Sequence, residues 1–342
     1  MKTILAAMLV CGTLCAHAAP EVAGTIALPG PTRWDYVSVD AQAHRLYVGH
    51  MDRVEILDTR SHKPVMQLAS TPGVHGAAPA TDLGRVFTSD GAADAMGVFE
   101  LTTGKRLGSV KVGSKPDAIV YDPSTKRVFT FNGKSDDVTA VDAQSLAVLA
   151  HSIPAGGNPE FAVADGHGLI FFNVESKGEM AVLDARTLKV VSRYSLAPCE
   201  EPSGLARDPR GRLYSVCGNA LMVISDPVAG KVIGQARIGH GADGVAWMDG
   251  KAYSANGQDG TVTIVSEPEP GHFTATTLPT ARGARTIAAD PELHELFTPT
   301  ADFKASSERP STPGQRRRPE AIPGSFKILV IRDQPGSGQP GR

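Results

Sequence analysis

Seven aromatic residues recur along this chain at nearly constant spacing. They are Tyr47, Phe87, Phe129, Phe171, Tyr214, Tyr253 and Phe297. The successive separations are 40, 42, 42, 43, 39 and 44 residues. Several of these aromatics end a short basic–aliphatic–aromatic unit, as in Arg127-Val128-Phe129. A period of this length, held along almost the whole chain, indicates that one supersecondary unit is repeated.

The third repeat shows what each unit contains. Four runs of β-forming residues, designated strands A to D, follow one another as Pro116–Tyr121, Arg127–Phe131, Asp137–Asp142 and Leu146–Ile153. Turn-forming residues such as Asp122-Pro123 and Asn132-Gly133 separate them, as hairpin connections require. Four short strands per repeat predict an all-β, seven-bladed β-propeller. The alternative, a β-sandwich, would make the matched spacings coincidental.

The two ends of the chain indicate how the ring closes. The seventh repeat has a strand B at Leu296–Thr298 and a strand C at Phe326–Ile331, but no strand D before the Gly/Pro-rich end. The segment Val22–Leu28 resembles the D strands of other repeats, such as Val232–Ile238. We therefore predict that the N-terminal strand completes blade seven and leaves no open sheet edge there.

One segment interrupts the seventh repeat. Residues 302–325, between its strands B and C, are rich in Ser, Pro, Arg and Gly and show no hydrophobic period. We predict a flexible insertion there, in which Arg316-Arg317-Arg318 is solvated charge rather than an anion site. Residues 333–342 are expected to form a disordered tail. Residues 19–342 thus make a single propeller domain.

Residues 1–18 have the pattern of a secretory signal peptide. Lys2 precedes an apolar run from Ile4 to Leu14, and Ala16-His17-Ala18 supplies a cleavage site. The run is too short for a membrane span, and no later segment approaches the roughly 20 apolar residues that a spanning helix needs. We expect a periplasmic or secreted mature protein that begins near Ala19.

Cysteine content and net charge bear on a disulfide, on covalent haem attachment and on nucleic-acid binding. Cys199 and Cys217 are the two cysteines beyond the signal peptide, and in an oxidising compartment they predict a disulfide. The chain contains no C-x-x-C-H motif, which excludes covalent haem attachment. A formal net charge of -2 gives no indication of nucleic-acid binding. A closed ring needs no partner strand, so we expect a monomer.

These features together resemble a known repeat family. Strand B carries Tyr or Phe, the following turn carries Asn-Gly, as in Asn256-Gly257, and strand C ends as in Ile56-Leu57-Asp58 and Val182-Leu183-Asp184. This pattern is similar to the YVTN-type propeller repeats of YncE-like bacterial secreted proteins. The literal tetrapeptide is absent, and Tyr47-Val48-Gly49-His50 is among its nearest equivalents. The resemblance implies the propeller fold but no particular activity.

A propeller brings one equivalent residue per blade to a common axis. Strand A is innermost, and the D–A connections share one face with the B–C turns. The residues that open strand A are Asp35, His75, Asp117, Glu160, Ser203, Asp243 and Arg285, and those at the B–C turns are His50, Asp90, Asn132, Asn173, Cys217, Asn256 and Thr300. Nearly all are polar, and Arg282 lies close to Arg285. We interpret them as a ligand-binding funnel; the alternative is that each residue only caps its own turn.

Two functions from different classes are compatible with such a funnel. The first is a binding or scaffold protein that holds a small polar molecule or a partner peptide. The second is a lactonase-type hydrolase, in which a divalent metal is the cofactor and some of Glu160, Asn173, Asp243 and Asn256 are its ligands. No contiguous metal-binding motif, G-x-S-x-G sequence or redox-cofactor motif is present, which favours binding over catalysis.

Overall fold

The computed structural model describes residues 19–304 and 320–334, which form seven four-stranded antiparallel sheets. The predicted seven-bladed, all-β propeller is therefore confirmed. The signal peptide, residues 305–319 of the insertion and residues 335–342 of the tail lie outside the described residues. Within the described ranges, the helical segments are the 3-10 turns Thr81–Leu83 and Glu175–Lys177, and neither is long enough to cross a bilayer.

Each blade consists of four strands, A to D, in order from the axis outward. Blade 1 contains Val37–Asp40, Arg45–His50, Arg53–Asp58 and Lys63–Ala69, and blade 2 contains Val74–Ala80, Arg85–Asp90, Ala95–Glu100 and Arg106–Lys111. Blade 3 contains Pro116–Asp122, Arg127–Asn132, Asp137–Asp142 and Val148–Pro154, and blade 4 contains Pro159–Ala164, Leu169–Val174, Glu179–Asp184 and Lys189–Ser195. Blade 5 contains Pro202–Arg207, Leu213–Cys217, Leu221–Asp226 and Lys231–Arg237, and blade 6 contains Ala242–Met248, Lys251–Asn256, Thr261–Glu269 and His272–Pro279. Blade 7 combines Ala288–Asp290, Glu295–Thr300 and Lys327–Arg332 with the N-terminal strand Glu21–Ala27.

The hydrophobic core is divided into layers between neighbouring blades. The described residues contain seven clusters of buried side chains, each built mainly from two adjacent blades. Phe131 of blade 3, for example, packs on Phe172 of blade 4 with ring centroids 5.1 Å apart. The recurrent strand-B aromatics Phe87, Phe129 and Phe297 are fully buried in such layers. The sequence period therefore places one large side chain in each inter-blade layer.

The N-terminal strand closes blade 7, as predicted. Glu21–Ala27 pairs antiparallel with Lys327–Arg332, and Ile26 stands opposite Ile328. Ile26 and Leu28 are buried in the layer between blades 7 and 1. Because the two paired strands come from opposite ends of the chain, this layer forms only when the whole ring is assembled.

The two ends of the blade-7 insertion pair with each other. Phe303 forms an isolated antiparallel bridge with Ala321, and the Ile322 N–H donates to the Asp302 carbonyl at 2.7 Å. The Phe303 ring also packs against Trp34, with centroids 6.4 Å apart. Backbone pairing therefore joins the two described ends of the predicted insertion.

The predicted disulfide between Cys199 and Cys217 is confirmed, with Cα atoms 5.4 Å apart. It joins the connection that enters blade 5 to the end of strand B in the same blade. The Gly218 N–H donates to the Glu200 carbonyl at 2.7 Å beside the bridge. Closing this 18-residue separation restricts the unfolded chain by up to about 3 kcal/mol in the chain-entropy model.

We predict that Ile26→Ala destabilises the protein by about 2–3 kcal/mol, because it removes a buried side chain from the closing strand. The matched control is Thr25→Ala, which changes an exposed neighbour in the same strand and should cost no more than about 0.5 kcal/mol. Urea unfolding of the mature chain measures both. Equal effects of the two variants would show that the N-terminal strand does not contribute to the core.

Candidate functional site

The openings of strand A and the ends of strand B meet at one edge of each sheet. In blades 2 to 6 the first residue of strand A pairs with the end of strand B, as Val74 does with Asp90 and Pro116 with Asn132. The D–A connections and B–C turns therefore share one face of the ring, which is here called the axial face. This is the arrangement expected for antiparallel strands that alternate in direction.

A repeated β-bulge directs the strand-A residues toward the axis. In blades 2 to 5, two residues of strand A stand opposite one of strand B, namely His75-Gly76, Asp117-Ala118, Glu160-Phe161 and Ser203-Gly204. Blade 6 has one extra strand-A residue there, Asp243. A bulge bends its strand and re-aims the side chain that it carries. Polar residues from different blades can therefore face one another across the axis.

Neighbouring blades fix the backbone of these residues. Side chains of one blade donate hydrogen bonds to strand-A carbonyls of the next: Ser89 Oγ to Asp117 O at 2.6 Å, Asn173 Nδ2 to Ser203 O at 2.7 Å, and Thr286 Oγ1 to Asp35 O at 2.8 Å. Packing near the axis is also tight, since a Cβ on Gly204 would lie only 2.7 Å from the Cα of Gly244. The ring thus holds its strand-A openings rigidly.

The B–C turn residues lie inside the blades, which corrects the expected lining of the funnel. All seven are buried: His50, Asp90, Asn132, Asn173, Cys217, Asn256 and Thr300. Asn132 Nδ2 donates to Asp137 Oδ1 at 2.8 Å and to Thr139 Oγ1 at 3.0 Å within its own blade. Asn256 makes the equivalent bonds in blade 6. Asn132 and Asn256 thus stabilise their own B–C hairpins, because buried polar groups need internal partners.

The strand-A openers of five consecutive blades form one ionic network. Arg285 donates through Nε to Asp243 at 2.9 Å and through Nη2 to Asp35 at 3.4 Å. Asp35 also contacts His75 Nδ1 at 2.6 Å, and the same nitrogen lies 3.1 Å from Asp117 Oδ1. These residues belong to blades 6, 7, 1, 2 and 3, which follow one another around the ring.

His75 is held as an imidazolium between two carboxylates. Burial alone would lower its pKa, but the hydrogen bonds and charges of Asp117 and Asp35 outweigh burial and raise the pKa of His75 from 6.5 to about 10. Burial would raise the pKa of Asp117, yet its bond to His75 keeps that pKa below the ordinary value. His75 and Asp117 are therefore both charged at neutral pH.

Within the described ranges, Glu160 lies beside this network without a cationic partner. Its carboxyl group accepts hydrogen bonds from the Tyr36 hydroxyl at 3.2 Å and from Asn158 Nδ2 at 3.3 Å. Burial, followed by the negative charge of three carboxylates, raises the pKa of Glu160 from 4.5 to about 8. These carboxylates belong to Asp117, Glu175 and Asp243. Glu160 is thus largely protonated at neutral pH, and a cation in the funnel would favour its ionisation.

The remaining predicted residues, Asp243, Ser203 and Arg282, lie in different environments. Burial raises the pKa of Asp243, and the Arg285 guanidinium only partly opposes this shift. Ser203 is buried, and its hydroxyl donates to the Ala242 carbonyl at 3.4 Å. Arg282 is exposed at the edge of the axial face, where its carbonyl accepts a hydrogen bond from the Thr300 hydroxyl. Arg282 is therefore peripheral to the network.

Sequence reasoning missed the neutral and aromatic residues that complete the site. The Arg285 guanidinium lies 5.6 Å from the centre of the Trp34 ring, and its Nη2 donates to the Trp34 carbonyl at 2.9 Å. Tyr36 packs edge-on against Phe161, with ring centroids 5.0 Å apart. Trp34 and Tyr36 flank Asp35 in the sequence, and that aromatic–acid–aromatic triplet is the signal that could have identified them.

Among the described residues, one group of three side chains has the donor types and spacing of a metal site. It consists of Asp35, His75 and Asp117, whose candidate ligand atoms lie within 4.8 Å of one another. The donor types fit a divalent transition metal. Both carboxylates contact the same nitrogen of His75, so a metal bound there has to displace the proton that this nitrogen carries.

No protein-family model and no curated protein matches this chain. Solved structures do match. Hydrazine synthase of Kuenenia stuttgartiensis has a TM-score of 0.66 at 14% identity over 79% of this chain and 94% of that chain. The Cps50 (Swd1) β-propeller domain of Myceliophteria thermophila has a TM-score of 0.71 at 13% identity over 92% and 99%. U3-55K has a TM-score of 0.73 at 10% identity over 91% and 99%. Likeness at this identity establishes the β-propeller fold alone.

We predict that the imidazole of His75 does not titrate between about pH 5 and about pH 8.5, because its two carboxylate partners hold the proton. Its folded-state pKa is raised, so the stability that it contributes is complete below about pH 6.5 and is lost as pH rises toward about 10. Proton NMR of the histidine rings measures this, with His75→Gln as the assignment control. A titration midpoint of His75 near 6.5 would contradict an imidazolium held between two carboxylates.

Proposed function

We propose that this protein is a binding protein whose axial funnel holds a small polar ligand through a positively charged group. The observation that carries the proposal is the convergence of four carboxyl groups, from Asp35, Asp117, Glu160 and Asp243, on one axial site. Three cationic side chains, those of His75, Arg285 and Lys115, pair with Asp35, Asp117 and Asp243, and among the described residues none pairs with Glu160. Ionisation of Glu160 therefore leaves one negative charge in the site without a cationic partner, and this favours a positively charged ligand.

The positions of the cationic side chains support a binding role. Both oxygens of Asp35 are already engaged, by His75 and by Arg285. Arg285 engages only Oδ2 of Asp243, and the donors that meet Glu160 are neutral. The acceptors available to a ligand are thus concentrated on Asp243 and Glu160. Their backbones are fixed by bulges and by neighbouring blades, so little ordering accompanies binding.

The cellular setting that we propose is the periplasm or the exterior of the cell. The signal-peptide pattern of residues 1–18 supports export, and the Cys199–Cys217 disulfide is typical of an oxidising compartment. We further propose that the protein acts as a monomer of the YVTN-type, YncE-like repeat family. The recurrent strand-B and strand-C phrases in the sequence support that assignment.

A metal-dependent hydrolase of the lactonase type is the second candidate. The spacing of Asp35, His75 and Asp117 favours it, since their donor atoms could surround one divalent ion. Such an ion would act as a Lewis acid toward a bound ester. Two of the ligands expected from the sequence are instead engaged elsewhere: Asn173 donates to the Ser203 carbonyl of the next blade, and Asn256 donates to Thr263 in its own blade. Metal analysis of the purified protein distinguishes the candidates, because stoichiometric metal would favour the hydrolase.

The binding proposal predicts that small cations raise the melting temperature and that a neutral analogue and an anion do not. A thermal-shift screen would compare methylammonium, ethanolamine, putrescine and tetramethylammonium with tert-butanol and acetate. For tetramethylammonium, whose charge is independent of pH, affinity should rise by about tenfold from about pH 6 to about pH 9 as Glu160 ionises. The direction follows from the raised pKa of Glu160.

Glu160→Gln tests the origin of that pH dependence. The variant should bind tetramethylammonium weakly and with a nearly flat pH profile, because the ionising carboxyl group is gone. Glu269→Gln is the matched control, since Glu269 is exposed at the end of strand C in blade 6. Retention of the parent's pH profile by Glu160→Gln, or stronger binding of acetate than of the amines, would contradict the proposal.

A further inference from the structure

Five outer strands carry an extra residue at the same place. In strand D of blades 1 to 5, the register with strand C shifts by one residue, and the residue left unpaired is aliphatic. These residues are Val65, Leu107, Leu149, Val191 and Ile233, spaced 42 residues apart. Their exposure ranges from 38% to 56%. The bulge therefore presents one apolar side chain per blade to solvent on the outer circumference.

The outer strands of blades 1 to 6, all within the described residues, lack acidic residues, and those of blades 1, 2, 4 and 5 carry Lys or Arg. Their Lys and Arg residues are Lys63, Arg106, Lys111, Lys189, Arg193, Lys231 and Arg237. The whole chain has 34 basic and 36 acidic residues, so this distribution is a segregation of charge and not an excess. The outer strands of blades 1, 2, 4 and 5 are therefore positively charged although the protein is nearly neutral.

Blades 4 and 5 combine the two features most strongly. Their adjacent outer strands, Lys189–Ser195 and Lys231–Arg237, each place an exposed aliphatic residue between two exposed cations. Within the described part of the chain, Lys189, Lys231 and Arg237 form no ion pair. The adjoining turn of blade 5 exposes Val228 almost completely, at 97%. This surface, defined by the two strands and that turn, is here called the blade 4–5 edge.

We propose that the blade 4–5 edge binds the surface of an anionic phospholipid bilayer. Its Lys and Arg side chains would contact headgroup phosphates, and Val191, Ile233 and Val228 would enter the interfacial region. The charge complementarity identifies an anionic partner. The alternation of cations with exposed aliphatic side chains selects a lipid surface, because a nucleic acid backbone offers phosphates without an adjoining apolar phase.

The geometry suits peripheral attachment. The edge lies on the outer circumference, away from the axial face, so a bilayer there leaves the funnel open. The exposed aliphatic residues are few, and the charge contribution is screened by salt. Binding should therefore be reversible and sensitive to ionic strength.

Vesicle co-sedimentation of the mature chain tests the proposal. Vesicles of phosphatidylcholine containing phosphatidylglycerol should retain the protein at low salt, and vesicles of phosphatidylcholine alone should not. The double variant Lys189→Ala/Lys231→Ala should weaken binding by about 25-fold, at about fivefold for each cation removed. The matched control is Lys134→Ala/Lys177→Ala, which removes two exposed lysines from the axial face and should change binding much less.

The double variant Val191→Ser/Ile233→Ser keeps every charge and should also weaken binding to the anionic vesicles. Melting temperatures of all variants should stay close to that of the parent, since these side chains are exposed. Equal retention by the two kinds of vesicle, or equal losses in the two lysine variants, would overturn the proposal. A third result would also overturn it: Val191→Ser/Ile233→Ser retains full vesicle binding, and the protein binds single-stranded DNA as tightly as it binds vesicles. The edge would then recognise polyanions in general.

Discussion

The face-to-face packing of neighbouring blades is the interaction on which the rest of this structure depends. A four-stranded sheet cannot bury both of its faces alone, and each described core layer is built mainly from two adjacent blades. Ile26 and Leu28, from the N-terminus, complete the layer between blades 7 and 1. Closure of the ring therefore completes the core. It also creates the axis, since equivalent residues converge only when the last blade meets the first.

The axial face and the blade 4–5 edge both depend on β-bulges. Regular strands alone would not turn these side chains toward the axis or toward solvent. On the inner strands, bulges in blades 2 to 6 turn polar residues such as Asp117 and Asp243 toward the axis. On the outer strands, bulges in blades 1 to 5 turn aliphatic residues such as Val191 toward solvent. A bulge on an outer strand also disturbs edge-to-edge pairing, so the same irregularity protects the ring against aggregation.

The architecture could be predicted from the sequence because repetition made each weak signal recur. The spacing of the strand-B aromatics predicted the blades, the missing strand D near Phe326 predicted closure by the N-terminus, and two cysteines predicted the disulfide. The axial positions of Asp35, His75 and Arg285 were predicted in the same way. The burial of Asn132 and Asn256 was not, because a polar residue before a turn has the same appearance whether its side chain enters solvent or bonds its own hairpin.

The protonation state of the site could not be predicted from the sequence. Whether Glu160 is ionised depends on burial and on carboxylates from distant parts of the chain, none of which a spacing argument can measure. Carboxyl carbon NMR of Glu160 would therefore be the decisive measurement. If carboxyl groups from several blades form one cluster, Glu160 should titrate with a midpoint at about 8. The midpoint should be lower in Asp117→Asn, because that variant removes a negative charge that repels the Glu160 carboxylate. A midpoint near the ordinary value of 4.5, or one that Asp117→Asn leaves unchanged, would show that the openers do not act as one site.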